Sequence, residues 1–304
     1  MKNKTCFVIV GPTAVGKTSL AIQVAKHFRT QIISADSRQC YKELNIGVAK
    51  PSPDELAEVT HYFINSHSIF DDINAKQFEA YALQKADTIF KENDVTVVVG
   101  GTGLYIKTFC EGIDEIPDVN AEIKKGIIAN YNNEGFEWLK SEVEKNDPVY
   151  FSTGEIKNPQ RMMRALEVKL STGRSIMEFH SPQKTERYFK IIKIGLQLPK
   201  EQLHENINSR VDKMMQQGLL DEVRSLLPYQ KLNALQTVGY KELFDHLNGK
   251  TSLEEAVEKI KINTRQYAKR QLTWFKKDKE VNWINVGEDE SVIEIFTETQ
   301  IRSE

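Results

Sequence analysis

The run Gly11-Pro12-Thr13-Ala14-Val15-Gly16-Lys17-Thr18 has the residue types and spacing of a loop that cradles a di- or triphosphate. Backbone N–H groups and a helix N-terminus offer phosphate oxygens a preformed positive site. Lys17 adds a point charge, and the Thr18 hydroxyl can sit on Mg²⁺. The apolar, β-branched run Cys6-Phe7-Val8-Ile9-Val10 precedes the loop, as a buried strand would. After it, Leu20, Ala21, Val24, Ala25 and Phe28 share one helical face. Strand, loop and helix together argue against a glycine-rich turn with no ligand. By motif the loop suggests a nucleotide such as ATP, yet a diphosphate need not belong to a nucleotide.

Other candidates follow along the chain. Asp36-Ser37-Arg38-Gln39 closes a second apolar run, and in an open parallel sheet ligands collect beyond the carboxyl ends of the strands. Asp36 is therefore either a base or metal-water ligand beside Lys17, or a cap on a following helix. A third apolar run ends in Gly100-Gly101-Thr102-Gly103, where a phosphate-loop hydrolase would be expected to place an acidic residue for its Mg²⁺ shell. That weakens hydrolysis and phosphoryl transfer; close backbone approach to a ligand and a plain tight turn both remain open. Arg210 could grip phosphate through two bonds, although spacing alone favours an exposed helical arginine.

Two basic segments suggest a polyanion. Arg161 and Arg164 share a side of the helix opened by Asn158-Pro159-Gln160. Between Lys259 and Lys279, cations alternate with Tyr267, Trp274 and Phe275, which suits phosphates plus stacked bases but equally a solvated helix with its rings inward. The six histidines form no ligand-spaced cluster.

These residues require a scaffold. Strand and helix alternate over residues 1–110, with strands expected at 5–10, 31–35 and 95–99 and a helix at 75–92, which implies a parallel sheet covered on both faces. Residues 117–182 read as charged and helical. A strand at 188–198 follows, then one long amphipathic helix over 201–227, helices near 238–247 and 252–277, and a last strand at 281–286. The acidic end beyond Gly287 reads as a solvated helix or tail. The expected fold is α/β, a parallel-sheet phosphate-loop core over 1–115 and 186–304, with a helical insertion at 116–185.

The net charge of −2 confines any nucleic-acid surface to a local patch. Three widely spaced cysteines fit a reducing compartment, and neither a signal-peptide pattern nor a membrane-length apolar run is read. The expectation is a cytoplasmic protein, and a monomer, since no hydrophobic seam demands a partner.

Taken in order, the segments GPTAVGKTS (11–19), ISADSRQCYKELNIGVAKP (33–51), VVGGTGLYIK (98–107), NPQRMMRALEV (158–168), the Arg210 helix, LQTVGYKEL (235–243) and TRQYAKRQLTWF (264–275) resemble the tRNA dimethylallyltransferase family. The resemblance spans nearly the whole chain and implies the compact bacterial form, a nucleotide-kinase-like phosphate-loop core carrying a helical insertion that embraces the anticodon stem-loop. It implies transfer of a dimethylallyl group from dimethylallyl diphosphate to N6 of adenosine 37, beside the anticodon of tRNAs reading codons that begin with U, usually with Mg²⁺. Carried over residue by residue, Asp36 would be the base at N6, with Thr13 and Arg210 also catalytic. The loop Gly11–Thr18 and Arg210 would hold the diphosphate, and Thr18 the metal. Asp36, Ser37, Arg38, Gln39, Thr102, Lys124, Gln160, Arg161, Met162, Met163, Arg164, Val238, Gly239, Tyr240 and Lys241 would meet the tRNA anticodon stem-loop. Cys40 replaces a more usual branched aliphatic, and Val48 a common threonine; neither touches the proposed chemistry. Rival readings are a prenyltransferase acting on free adenylate, a nucleotide kinase, and a non-catalytic RNA-binding module.

Overall fold

The computed structural model describes residues 4–181 and 184–286. In chain order its first elements are β1 (Thr5–Val10), α1 (Lys17–His27), β2 (Ile32–Ser34), α2 (Pro53–Glu58), β3 (His61–Tyr62), α3 (Ala75–Glu92), β4 (Val95–Val99) and α4 (Gly103–Glu111). Then come α5 (Ala121–Asn146), α6 (Pro148–Thr153), α7 (Pro159–Thr172), β5 (Lys190–Gln197), α8 (Lys200–Gln216), α9 (Leu219–Ser225), α10 (Tyr240–Leu247), α11 (Leu253–Phe275) and β6 (Val281–Asn285). The chain divides into two compact units, residues 1–111 with 186–304 and residues 112–185.

The first unit is built on a six-stranded sheet of order β3-β2-β4-β1-β5-β6. Every pairing is parallel, Thr5 lying opposite Val95 on one side and Lys190 on the other. Side chains alternate across a strand, so β1 feeds two cores. Cys6, Val8 and Val10 join a cluster with α3, α4, α9 and α10, while Phe7 and Ile9 join one with α1 and α8. This is the doubly covered α/β sheet that the strand–helix alternation implies. Because β1 lies between β4 and β5, the chain reverses direction across the sheet beside β1, and a crevice opens at the carboxyl ends of the strands.

Three expectations need correction. The single helix over 201–227 is two, α8 and α9, separated at Gly218, whose φ of +97° is a left-handed conformation that side chains disfavour. The short edge strand β3 and the helix α2, opened by a Ser52–Glu55 capping box, were not anticipated. No helix follows Asp36 directly; residues 37–40 form a turn. The acidic end beyond Gly287 lies outside the described residues.

The second unit has its own core. Ile127, Leu139 and Val143 of α5 pack with Tyr150 of α6 and with Met162, Met163 and Leu166 of α7. Gly135 interrupts α5 at φ +83°, between the apolar stretches Ile123–Tyr131 and Phe136–Val143.

Candidate functional site

The phosphate loop leaves β1 and turns into α1 at Gly16. No side chain caps that helix, so its first N–H groups keep their capacity for an anion. The Lys17 ammonium donates to the Pro12 carbonyl at 2.6 Å. Burial, and then repulsion from Arg210, push Lys17 down to about 7, with Asp36 opposing the shift. An anion in the loop would offset both by attracting the ammonium.

Asp36 follows the end of β2. Its Oδ1 accepts from the backbone N–H of Arg38 at 2.8 Å and of Gln39 at 3.3 Å. These bonds fix the carboxylate and leave Oδ2 without a hydrogen bond among the described residues. The helix-cap alternative therefore becomes a side-chain-closed turn. Thr102 supports the same turn, its Oγ1 accepting from Ser37 N–H at 3.0 Å.

Two cavities meet here. The smaller, about 300 Å³, is walled by the loop residues Thr13, Ala14 and Gly16–Thr18, with Gly100 and Gly101 after β4. The larger, about 410 Å³, is lined by Ser37 and Arg38, by Val238, Gly239 and Lys241, and by Tyr267 and Arg270. Thr13, Asp36, Val48 and Arg210 line both. Arg210, expected from spacing to be exposed, is half-buried and donates from Nη1 to Thr13 Oγ1 at 3.2 Å. Burial weakens its hold on its proton, and Asp36 opposes that. In the larger cavity, burial and then Asp36 push the Tyr267 phenol up to about 12, so it stays a neutral hydrogen-bond donor.

Some expected residues are committed elsewhere. Gln39 Nε2 donates to the carbonyls of Val48 at 3.3 Å and Ala49 at 3.0 Å, while its Oε1 accepts from Ser34 at 3.2 Å. Tyr240 is fully buried, its hydroxyl donating to Glu222 at 2.6 Å. Glu222 also accepts from the N–H groups of Asn45, Ile46 and Gly47, so it anchors the loop that carries Val48. Tyr240 thus supports the loop of Gly47 and Val48 from behind, while Gln39 lines the phosphate cavity with both ends of its amide engaged.

In the second unit, Lys124 and Gln160 are exposed. Arg161 pairs with Glu155, and Arg164 with Glu167 at 3.4 Å. Met162 and Met163 are buried in the core of that unit. Their side chains therefore cannot be the ligand contacts the resemblance implies in this conformation; they anchor the helix between the two arginines. In the basic segment of α11, Phe275 faces the core, while Trp274 is 37% exposed and its indole lies against Gly103.

The sequence reading passed over Glu222 and Gln271. Gln271 is a signal that could have been found, a polar residue at helical spacing in the buried stripe Ile260, Ala268, Phe275. Glu222 gives none, because its partners are distant in sequence.

The family model described as IPP transferase matches residues 39–278. The tRNA dimethylallyltransferase of Christiangramia forsetii is 48% identical over 97% of this chain and 98% of its own length. The tRNA dimethylallyltransferase 1 of Bacteroides thetaiotaomicron is 46% identical over 95% and 94%. Among solved structures, the tRNA isopentenylpyrophosphate transferase of Bacillus halodurans superposes with a TM-score of 0.72 at 32% identity, covering 99% of this chain and 97% of that one. A eukaryotic dimethylallyltransferase acting on tRNA reaches 0.81 at 25% identity, over 99% and 80%.

Proposed function

The chain belongs to the tRNA dimethylallyltransferase family, and on that premise we propose that it transfers a dimethylallyl group from dimethylallyl diphosphate to an adenosine N6 of tRNA. The acceptor would be adenosine 37, 3′ to the anticodon, in tRNAs reading codons that begin with U. The observation that carries this reading is the pair of cavities joined at Thr13, Asp36, Val48 and Arg210. One is suited to a diphosphate and the other to a base that has left its stack, with the reacting atoms meeting where they join.

An exocyclic adenine amine is a weak nucleophile, because its lone pair is delocalised into the ring. Help is needed at both ends of the displacement. As the allylic C–O bond stretches, negative charge collects on the leaving diphosphate. The loop N–H groups, Lys17 and the Arg210–Thr13 pair are preorganised to stabilise it. At the attacking end, the Asp36 carboxylate can orient N6 and take its proton. Ser37, Arg38, Val238, Gly239 and Lys241 would hold the flipped nucleotide in the larger cavity. Lys124, Gln160, Arg161 and Arg164 would meet the stem-loop backbone.

Mg²⁺ fits this reading as a companion of the substrate. Among the described residues no cluster of three His, Cys, Asp or Glu could hold it alone. The Thr18 hydroxyl and Asp36 do line the phosphate cavity, and Mg²⁺ keeps water and phosphate oxygens in its shell. Bound there, it would supply charge neutralisation on the leaving group.

The kinase reading loses ground because β4 runs from Val99 into Gly100 and Gly101 without an acidic residue. Substitution of Asp36 by Ala tests the proposal. Single-turnover transfer should fall ~10²–10⁴-fold with stem-loop affinity retained. Lost stem-loop binding with an intact chemical step would exclude Asp36 as the base.

A further inference from the structure

Gln271 lies on the buried face of α11, 6% exposed, in a stripe otherwise occupied by Ile260, Ala268 and Phe275. A buried amide needs partners at both ends; besides its hydrogen bond with the Tyr267 side chain, Gln271 has two backbone partners, and these belong to different walls of the phosphate cavity. Its Oε1 accepts from the backbone N–H of Thr13 at 2.8 Å, and its Nε2 donates to the Gly101 carbonyl at 2.9 Å. A neutral amide satisfies both. A carboxylate has no proton for the carbonyl, and an ammonium has no lone pair for the N–H.

The other residues around this strap agree with it. A Cβ on Gly101 would stand 2.2 Å from Gln271 Nε2, so the glycine is needed for the amide to reach the carbonyl. Thr13, held through its backbone, accepts from Arg210 through its side chain at 3.2 Å. The Thr13 N–H is already engaged, so phosphate is left to the later loop N–H groups.

From this geometry we infer that Gln271 is a positioning residue for the diphosphate. It sets the phosphate loop and the Arg210–Thr13 pair against the turn after β4 before substrate arrives, without touching substrate itself. Loop groups fixed in advance need no reorganisation as the leaving group develops its charge. The inference rests on the diphosphate-transfer reading above.

The test is calorimetric titration of inorganic diphosphate into the full chain and into Q271A, Q271E, G101A and G101A/Q271A. Anticodon stem-loop binding, single-turnover transfer and thermal unfolding are read in parallel. With one hydrogen bond to the loop lost, Q271A should bind diphosphate about tenfold more weakly. Q271E, of nearly equal volume, should bind more weakly still, because its carboxylate faces the Gly101 carbonyl and repels the ligand. G101A should resemble Q271A, and the double variant should be no worse than Q271A, since both changes break one strap. Stem-loop affinity should stay within about twofold throughout, with the loss falling on kcat/KM for dimethylallyl diphosphate.

Unchanged diphosphate binding in Q271A and Q271E would overturn the inference, even with a lowered melting temperature. So would additive defects in the double variant. If the unmodified chain bound no diphosphate, the transfer reading would fall and take the inference with it, which separates the two failures.

Discussion

Asp36, Lys17 and Arg210 are separated by most of the first unit's sequence, yet they line one phosphate cavity. The charges they bring are balanced for a guest. Lys17 and Arg210 repel one another, Asp36 attracts both, and burial raises the cost of every uncompensated charge. Two buried cations facing a single carboxylate suit an anionic guest, and a diphosphate entering here would offset their repulsion. A pH dependence follows from Lys17, which burial and Arg210 bring down to about 7. Bound diphosphate restores the proton, so affinity should decline as pH rises above about 7 and binding should take up protons. Calorimetry in buffers of different ionisation enthalpy measures that uptake, and Lys17→Met should abolish it. The sign for stability is fixed by the same shift. Burying the charged ammonium is a cost present below pH 7 and relieved as pH climbs toward 10.5, so this group makes the empty fold more stable with rising pH across that window. At this scale the sequence was informative wherever function is local. The phosphate loop is contiguous and has a spacing of its own, whereas the Thr13–Gln271 bond joins residues 258 positions apart and leaves no local pattern.

The elements carry these residues by unequal means. Strands β1 and β4, buried on both faces, were legible as unbroken apolar runs. The two-residue strand β3 has too little sequence to show a period, and the break between α8 and α9 hides inside a continuing apolar stripe, betrayed only by Gly218. The loop around Val48 has no regular structure, yet it walls both cavities. Its support is the Glu222 carboxylate of α9, which accepts from three successive backbone N–H groups and from Tyr240. Glu222→Ala should lower stability by about 2–3 kcal/mol in denaturant unfolding, because several donors lose a charged acceptor at once. It should also slow transfer, and an unaltered rate would show that the loop holds its place unaided. In the second unit, α7 displays Arg161 and Arg164 on a helix whose methionines face inward. Each arginine already has a carboxylate partner, so an RNA phosphate reaching them would have to compete with Glu155 and Glu167. Replacing both arginines with Ala should weaken stem-loop binding and make the log–log salt dependence shallower by about 1–2. An unchanged slope would mean that they do not reach phosphate.

The whole molecule is close to neutral at −2, so its affinity for a polyanion must come from placement of charge rather than from excess of it. The fold supplies that placement through a phosphate-loop unit and a helical unit with separate cores. Among the described residues no helix is long and apolar enough to cross a membrane. Sequence alternation conveyed the α/β class of the fold, because helices and strands announce themselves by periodicity. It could not convey that Asp36 and Arg210 would stand at the join of two cavities, since that depends on α8 and the turn after β2 meeting in space. Prenyl transfer to an adenosine of the anticodon loop is thus assigned to this join. The most direct test is mass analysis of nuclease-digested stem-loop RNA after incubation with dimethylallyl diphosphate and the full chain, with free AMP as a competing acceptor. One dimethylallyl group is expected on N6 of the adenosine 3′ to the anticodon, none on AMP, and almost none with the Asp36→Ala variant. Prenylated AMP at a comparable rate, or stem-loop RNA that is bound but returned unmodified, would contradict it.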